Sequence, residues 1–300
     1  MSRPVLLVMV AALLWGTTGT AAFWLGADVS PLAIGAATMG IGGVVLALVG
    51  GASSLAVLRD GDTRLWAVLG IIGVVVYPLT FYWGMSQAGI ALGNLIALGL
   101  GPLVVALLEW GVDRAAPSRL WWIASGVALG GIAVMSVAKV DLGGGRESNV
   151  ALGVALAVVA GAAYGLYTYA FGRLIERGHT PRAVIGAMFG GASPVLLVIL
   201  AVTGAGLFAS ASQVALVGYL VLGPMVLAYV AFSAALKTLR SSTVASVALV
   251  EPVVAGLLAV VLVGERLGPL AWVGGLAVLG AMAMLSRDNG ERASSKNAYS

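Results

Sequence analysis

Cysteine is absent from the chain, which excludes disulfides, thiolate metal sites and cysteine nucleophiles. Histidine is almost absent: the single one, His179, lies in a charged stretch between apolar runs. A solvated role is expected for it, and a Ser-His-Asp catalytic set is excluded. None of the lysines, Lys139, Lys237 and Lys296, follows a Walker A sequence, so ATP is not the driver. There is no H-E-x-x-H and no pair of aspartates within an apolar run, which speaks against a membrane-embedded protease. No enzymatic activity, no cofactor and no metal site is expected. Charge is scarce as well, at 9% of residues, against about 25% in ordinary soluble proteins.

What remains is apolar. Hydrophobic residues make up 60% of the chain, and the mean hydropathy is +1.05. No soluble core could hide that much apolar surface, so the bilayer must act as solvent. The net charge of +4 does not point to nucleic acid, because the basic residues form no patch with interleaved aromatics. They stand singly in short polar connections, where membrane proteins use them to set orientation.

Shifted by about 150 residues, the chain matches itself. Trp15-Gly16 answers Tyr164-Gly165, Ser30-Pro31 answers Thr180-Pro181, and Gly40 answers Gly190. Tyr82 answers Phe232, Pro102 answers Pro252, Trp122 answers Trp272, and Gly130 answers Gly280. The first apolar stretch, Val5–Leu14 after Arg3, has the look of a signal peptide. Its counterpart, however, lies at Ala151–Phe171 inside the chain, so it is expected to be a retained helix.

Apolar runs of about 20 residues, enough to cross ~30 Å of hydrocarbon, fall at 4–25, 31–50, 65–84, 90–109, 120–138, 150–172, 183–204, 214–236, 243–263 and 269–285. The expected fold is therefore an all-α polytopic membrane protein with ten transmembrane helices. With both termini in the cytoplasm, the outer connections keep only Lys139, Arg146 and Arg266 among the basic residues, as the positive-inside rule requires. Five helices per repeat is an odd number, so the second repeat enters the membrane inverted. The repeats are expected at 1–138 and 150–285, joined by a loop at 139–149 and followed by a polar, disordered tail at 286–300. Inverted repeats place a substrate site near the midplane and permit alternating access.

Glycines spaced four apart, at Gly126/Gly130, Gly161/Gly165 and Gly186/Gly190, are expected at helix contacts. Gly99, Gly101 and Pro102 form the expected hinge of the fourth span, and Pro252 that of the ninth. Polar and aromatic groups deep in the spans are few: Trp15, Tyr77, Tyr82, Asn94, Tyr164, Tyr167 and Tyr229 are the candidate substrate-binding residues. Trp24, Trp66, Trp83, Trp110, Trp121, Trp122 and Trp272 suit interfacial belts by position. Fixed cations are missing from the spans, so phosphate-bearing cargo is disfavoured and a neutral or zwitterionic substrate with an apolar side chain fits. Glu251 is the single deep acid. It is either a coupling or substrate-contacting acid or a protonated structural one beside Pro252, while Glu109 and Glu265 are expected at the interfaces.

The stretch Glu251-Pro252-Val253-Val254-Ala255-Gly256, continuing through Gly264-Glu265-Arg266-Leu267, together with Trp15-Gly16 and the repeat, resembles the EamA branch of the drug/metabolite transporter superfamily. Within it the chain is most similar to YddG-type bacterial amino-acid exporters. The resemblance implies a multi-pass protein of the cell inner membrane that exports amino acids, aromatic and other neutral ones, as a secondary transporter; a monomer is one state open to it. Other neutral metabolites or drugs are the alternative cargo, and a channel or membrane enzyme the remote one. The first repeat departs from the motif, with Gly101 in place of the acid before Pro102, so any role for the motif acid rests on Glu251.

Overall fold

Backbone polar groups find no water in hydrocarbon, so an apolar chain of this kind must close its hydrogen bonds within helices. The computed structural model describes residues 3–114, 116–137, 140–141, 149–235, 248 and 250–298. In chain order, α1 (Arg3–Gly16) and α2 (Thr18–Trp24) form one interrupted span, followed by α3 (Pro31–Gly50) and a short α4 (Ala52–Arg59). Next come α5 (Arg64–Ala88), α6 (Ile90–Asp113), α7 (Arg119–Val137), α8 (Val150–Glu176) and α9 (Pro181–Thr203). Helix α10 (Ala211–Leu220) runs through a π-helical turn (Val221–Leu227) into α11 (Ala228–Ala235). Helix α12 (Val250–Leu258) ends in a second π-helical turn (Ala259–Val263), and α13 (Pro269–Ala298) closes the chain. Two short strands, β1 (Val140–Asp141) and β2 (Arg266–Leu267), pair antiparallel.

Local chemistry sets several of these boundaries. Pro31 and Pro181 each occupy a first helical turn, where the missing N–H has no intrahelical partner to lose. Thr180 caps α9 by accepting from the Ala183 amide at 3.3 Å. Gly89 ends α5 and starts α6 at φ 93°, a backbone angle that other residues adopt only under strain.

Seven segments are long and apolar enough to cross a membrane: Arg3–Trp24, Pro31–Gly50, Arg64–Ala88, Ile90–Asp113, Val150–Glu176, Pro181–Thr203 and Ala211–Ala235. Three further apolar helices, Arg119–Met135, Val250–Val263 and Pro269–Met284, are shorter. The protein is thus a polytopic helical membrane protein. The beginning of the expected span 243–263 lies outside the described residues, as does most of the loop 139–149.

The connection after Gly50 carries α4, which buries Ser54 and Val57 on one side and exposes Leu55 and Arg59 on the other. One expectation needs correction. The polar tail is helical as far as Ala298: a helix already nucleated in Pro269–Met284 adds further residues without a new nucleation cost.

Close helix pairs pack through small residues. Gly40 of α3 faces Leu196 of α9, and Gly50 faces Gly186, so these helices run antiparallel. Gly73 of α5 meets the Ala163 carbonyl of α8, and Gly84 meets Gly153 farther along, again antiparallel. Gly161 and Gly165 of α8 receive Leu100 and Val104 of α6, which runs parallel to it. Gly186 and Gly190 pack against α3 as expected, but Gly126 and Gly130 face outward; the small-residue contact of α7 is instead Gly131 on Gly274 of α13.

Candidate functional site

The span begun by α1 breaks at Thr17, one turn past mid-depth. The Thr17 hydroxyl donates to the Leu14 carbonyl at 2.7 Å and takes a hydrogen bond from the Tyr219 hydroxyl at 2.5 Å. Just before the break, Gly16 lies so close to α12 that an added Cβ would sit 2.7 Å from Val254 and 3.1 Å from the Glu251 carbonyl. The Trp15-Gly16 pair and the Glu251–Gly256 motif therefore meet in space.

Trp15 is held by a backbone irregularity across the bundle. In an α-helix the Ala228 amide would bond to the Pro224 carbonyl, four residues back. Here it bonds to Gly223, five back. That frees the Pro224 carbonyl, which accepts from the Trp15 indole N–H at 2.8 Å.

From Trp15 a continuous group of rings extends through four further helices. Its ring lies 5.2 Å from Tyr229 and 5.4 Å from Phe232, both on α11. Phe189 of α9 packs on Tyr229 at 4.8 Å and on Tyr167 of α8 at 6.0 Å. The Tyr167 and Tyr229 hydroxyls are 3.2 Å apart. Tyr164 and Tyr167, spaced i and i+3 on one face of α8, both pack on Tyr77 of α5 at 5.7 Å. Tyr77 in turn stacks on Phe81 at 5.1 Å. Trp15, Tyr164, Tyr229 and Glu251 stay half-buried although they lie deep in the bundle, while Tyr77 and Tyr167 are buried.

Glu251 lies within electrostatic reach of the Tyr77, Tyr164 and Tyr229 hydroxyls. Among the described residues, no hydrogen bond or ion pair reaches its carboxyl. Asn94 is 1% exposed, and both its amide atoms lack a partner; it makes none of the ring contacts. The expected hinge residues Gly99, Gly101 and Pro102 lie inside a continuous α6, and Gly101 has a clear packing role. A Cβ there would stand 2.2 Å from the Tyr164 ring, so only glycine leaves the ring its place. Pro252 lies in the first turn of α12 as described.

Tyr82 stands apart from the central rings. It is buried, its hydroxyl is 3.5 Å from Thr38, and it lines a separate cavity of about 500 Å³ bounded by α2, α3, α5 and the start of α6. Glu265 also lines this cavity. Glu265 is 3% exposed and accepts from the Ile90 and Ala91 amides at the head of α6. A carboxylate there satisfies two otherwise orphaned donors and complements the helix dipole.

Burial raises the Glu265 pKa above its ordinary 4.5, the two amide donors opposing the shift. The folded state then holds this proton more tightly than the unfolded chain, so stability falls as pH rises from about 4.5 through the raised value. Thermal melts of the detergent-solubilised protein are expected to show that fall, and Glu265→Gln to flatten it. An identical pH profile in the Gln variant would count against the assignment.

At the other end of the bundle, His179 is not a free surface side chain. Its Nε2 lies 3.0 Å from the Asp60 carboxylate and 3.3 Å from the Thr63 hydroxyl. The Asp62 amide, and then His179 and Thr63, hold the Asp60 carboxyl below its usual range. Nearby, Asp113 at the end of α6 accepts from Tyr169 at 2.8 Å and pairs with Arg173 at 3.1 Å. Trp66 packs under Arg173 and against Tyr169, and Trp121 is buried.

Phe189 is the ring that sequence reading missed. It sits in a uniformly apolar run, and the only hint is one large ring among Gly186, Gly190 and Gly191. Among the described residues, no three imidazole or carboxylate side chains converge to hold a metal ion.

The chain matches the EamA-like transporter family twice, over residues 2–137 and 151–287. It is 30% identical over 287 residues to the uncharacterized transporter YwfM of Bacillus subtilis, covering 93% of this chain and 92% of that one. It is 29% identical over 257 residues to a probable terminal-alkyne amino-acid exporter of Streptantibioticus cattleyicolor, covering 84% of this chain and 83% of the relative. One crystal structure shares the fold, with a TM-score of 0.63 at 24% identity over 95% of this chain and 96% of the other. A double family match across nearly the whole length, on a polytopic helical frame, identifies the chain as a member of the EamA-like transporter family.

Proposed function

We propose that this protein is a secondary transporter that exports amino acids with apolar or aromatic side chains across the bacterial inner membrane. The observation that carries the reading is the ring group between α1, α5, α8, α9 and α11, with the Glu251 carboxyl within electrostatic reach of it. Among the described residues, no lysine or arginine is among its contacts. Ring faces offer a large apolar surface and attract an ammonium group through their quadrupoles. Glu251 reinforces that attraction, and the tyrosine hydroxyls and the unpartnered Asn94 amide supply donors for a carboxylate. Trp15, Tyr77, Tyr164, Tyr167 and Tyr229 form the cage, Asn94 an anchor and Tyr82 the route outward. The relative described as an amino-acid exporter supports both cargo class and direction.

Ten spans in two inverted repeats, with both termini inside, supply the alternating access. Support comes from the two separate family matches and from the antiparallel pairing of α3 with α9 and α7 with α13, which are counterparts under the internal repeat. Because the chain is free of cysteine, single substitutions at exposed positions read out the orientation. Ser53→Cys and Ala116→Cys are expected to react with an impermeant thiol reagent only from the cytoplasm, and Asp28→Cys and Ser212→Cys only from outside. The opposite pattern would overturn the orientation.

Counterflow in proteoliposomes tests the cargo. Labelled phenylalanine and leucine are expected to exchange saturably, and neither nucleosides nor cationic dyes to compete. Exchange of dyes or nucleosides without amino acids would move the protein to the alternative class.

A further inference from the structure

We propose that the cavity between α2, α3, α5 and the start of α6 is a second ligand site, separate from the ring group, that takes a compound with one ammonium group and an apolar body. Its volume of about 500 Å³ falls within the ~300–1,000 Å³ typical of small-molecule pockets. Phe23, Tyr82, Trp83 and Met85 give it apolar and aromatic walls, and among the described residues Glu265 is the single charged side chain that lines it.

Glu265 is built into the site rather than placed on a surface. It is 3% exposed and fixed by the Ile90 and Ala91 amides. A carboxylate offers about four acceptor positions, so two amide donors leave room for an ammonium N–H. With no lysine, arginine or histidine among the described lining residues, the site attracts a cation and repels an anion of the same shape. Burial in low dielectric strengthens both effects. None of Trp15, Tyr164, Tyr167 and Tyr229 reaches this cavity. Phe81, 5.6 Å from Tyr82 and 5.1 Å from Tyr77, stands between the two sites. Under the orientation proposed above, the cavity opens outside the cell.

Trp83, 37% exposed and part of the lining, serves as the reporter. Phenethylammonium added to the purified protein is expected to change Trp83 fluorescence saturably, and phenylacetate, with the same ring and an anionic end, to bind at least tenfold more weakly. The signal should vanish in Trp83→Phe and in Ala27→Phe, which fills the cavity from an exposed lining position and leaves Glu265 intact. Glu265→Gln should weaken binding at least tenfold. A saturable signal that persists in Trp83→Phe would place the probe elsewhere and overturn the proposal. So would equal binding of phenylacetate, or unchanged affinity in a folded Glu265→Gln variant. Transport plays no part in the readout, so failure here and failure of the cargo assignment are told apart.

Discussion

Gly101→Leu is expected to remove transport and to lower the amount of folded protein sharply. The first added carbon alone would stand 2.2 Å and 2.5 Å from two atoms of the Tyr164 ring. That ring cannot step aside, because Tyr77 and Tyr167 pack on it at 5.7 Å and 5.3 Å. Overpacking a close-packed interior costs about 1–3 kcal/mol, and more when the neighbours are rigid. The double variant Gly101→Leu/Tyr164→Ala opens the space again and is expected to recover folded protein without recovering transport. Fluorescence-detected size exclusion would measure the first quantity and counterflow the second. Full transport by Gly101→Leu would show that Tyr164 has another place to go, and that the ring group is looser than its contacts indicate.

A comparably large effect is expected from Trp15→Ala. Truncation removes the ring contacts with Tyr229 and Phe232 and leaves the Pro224 carbonyl, released by the π-helical turn, without its indole donor. Large aromatic truncations in cores cost about 3–5 kcal/mol, and an unpaired buried acceptor adds about 1–3 kcal/mol. Trp15→Phe keeps a ring and loses only the donor, so it should fall between Ala and the native residue. Transport per folded molecule is expected to drop at least about tenfold in Trp15→Ala, a change worth roughly 1.4 kcal/mol. If Trp15→Phe and Trp15→Ala behave alike, the hydrogen bond to Pro224, and not the ring, is what matters.

Glu251 is now a sharper case than sequence left it. A lone acid beside Pro252 allowed either a titrating or a structural role, since depth alone says only that its charge is costly to keep. Glu251 acts electrostatically on Tyr77, Tyr164 and Tyr229, which supports the proposed contact with cargo. Gly101, expected in a hinge with Pro102, also packs against the Tyr164 ring inside a continuous α6.

Composition and periodicity alone are enough to read a polytopic helical membrane protein, the approximate positions of its seven long apolar helices and the pairing of Tyr164 with Tyr167 on one helix face. Each of these follows from short-range facts: the length of an apolar run against the thickness of hydrocarbon, and the i, i+3 spacing that puts Tyr164 beside Tyr167. Which rings meet is settled in three dimensions, because those meetings join residues far apart in the chain. Trp15 bonds to Pro224 across 209 positions, Glu265 to Ile90 across 175, and His179 to Thr63 across 116. Phe189 enters the ring group for the same reason, through its packing between α8 and α11. The π-helical turn that frees the Pro224 carbonyl is likewise a shift of one hydrogen-bond register, to which composition and periodicity are blind.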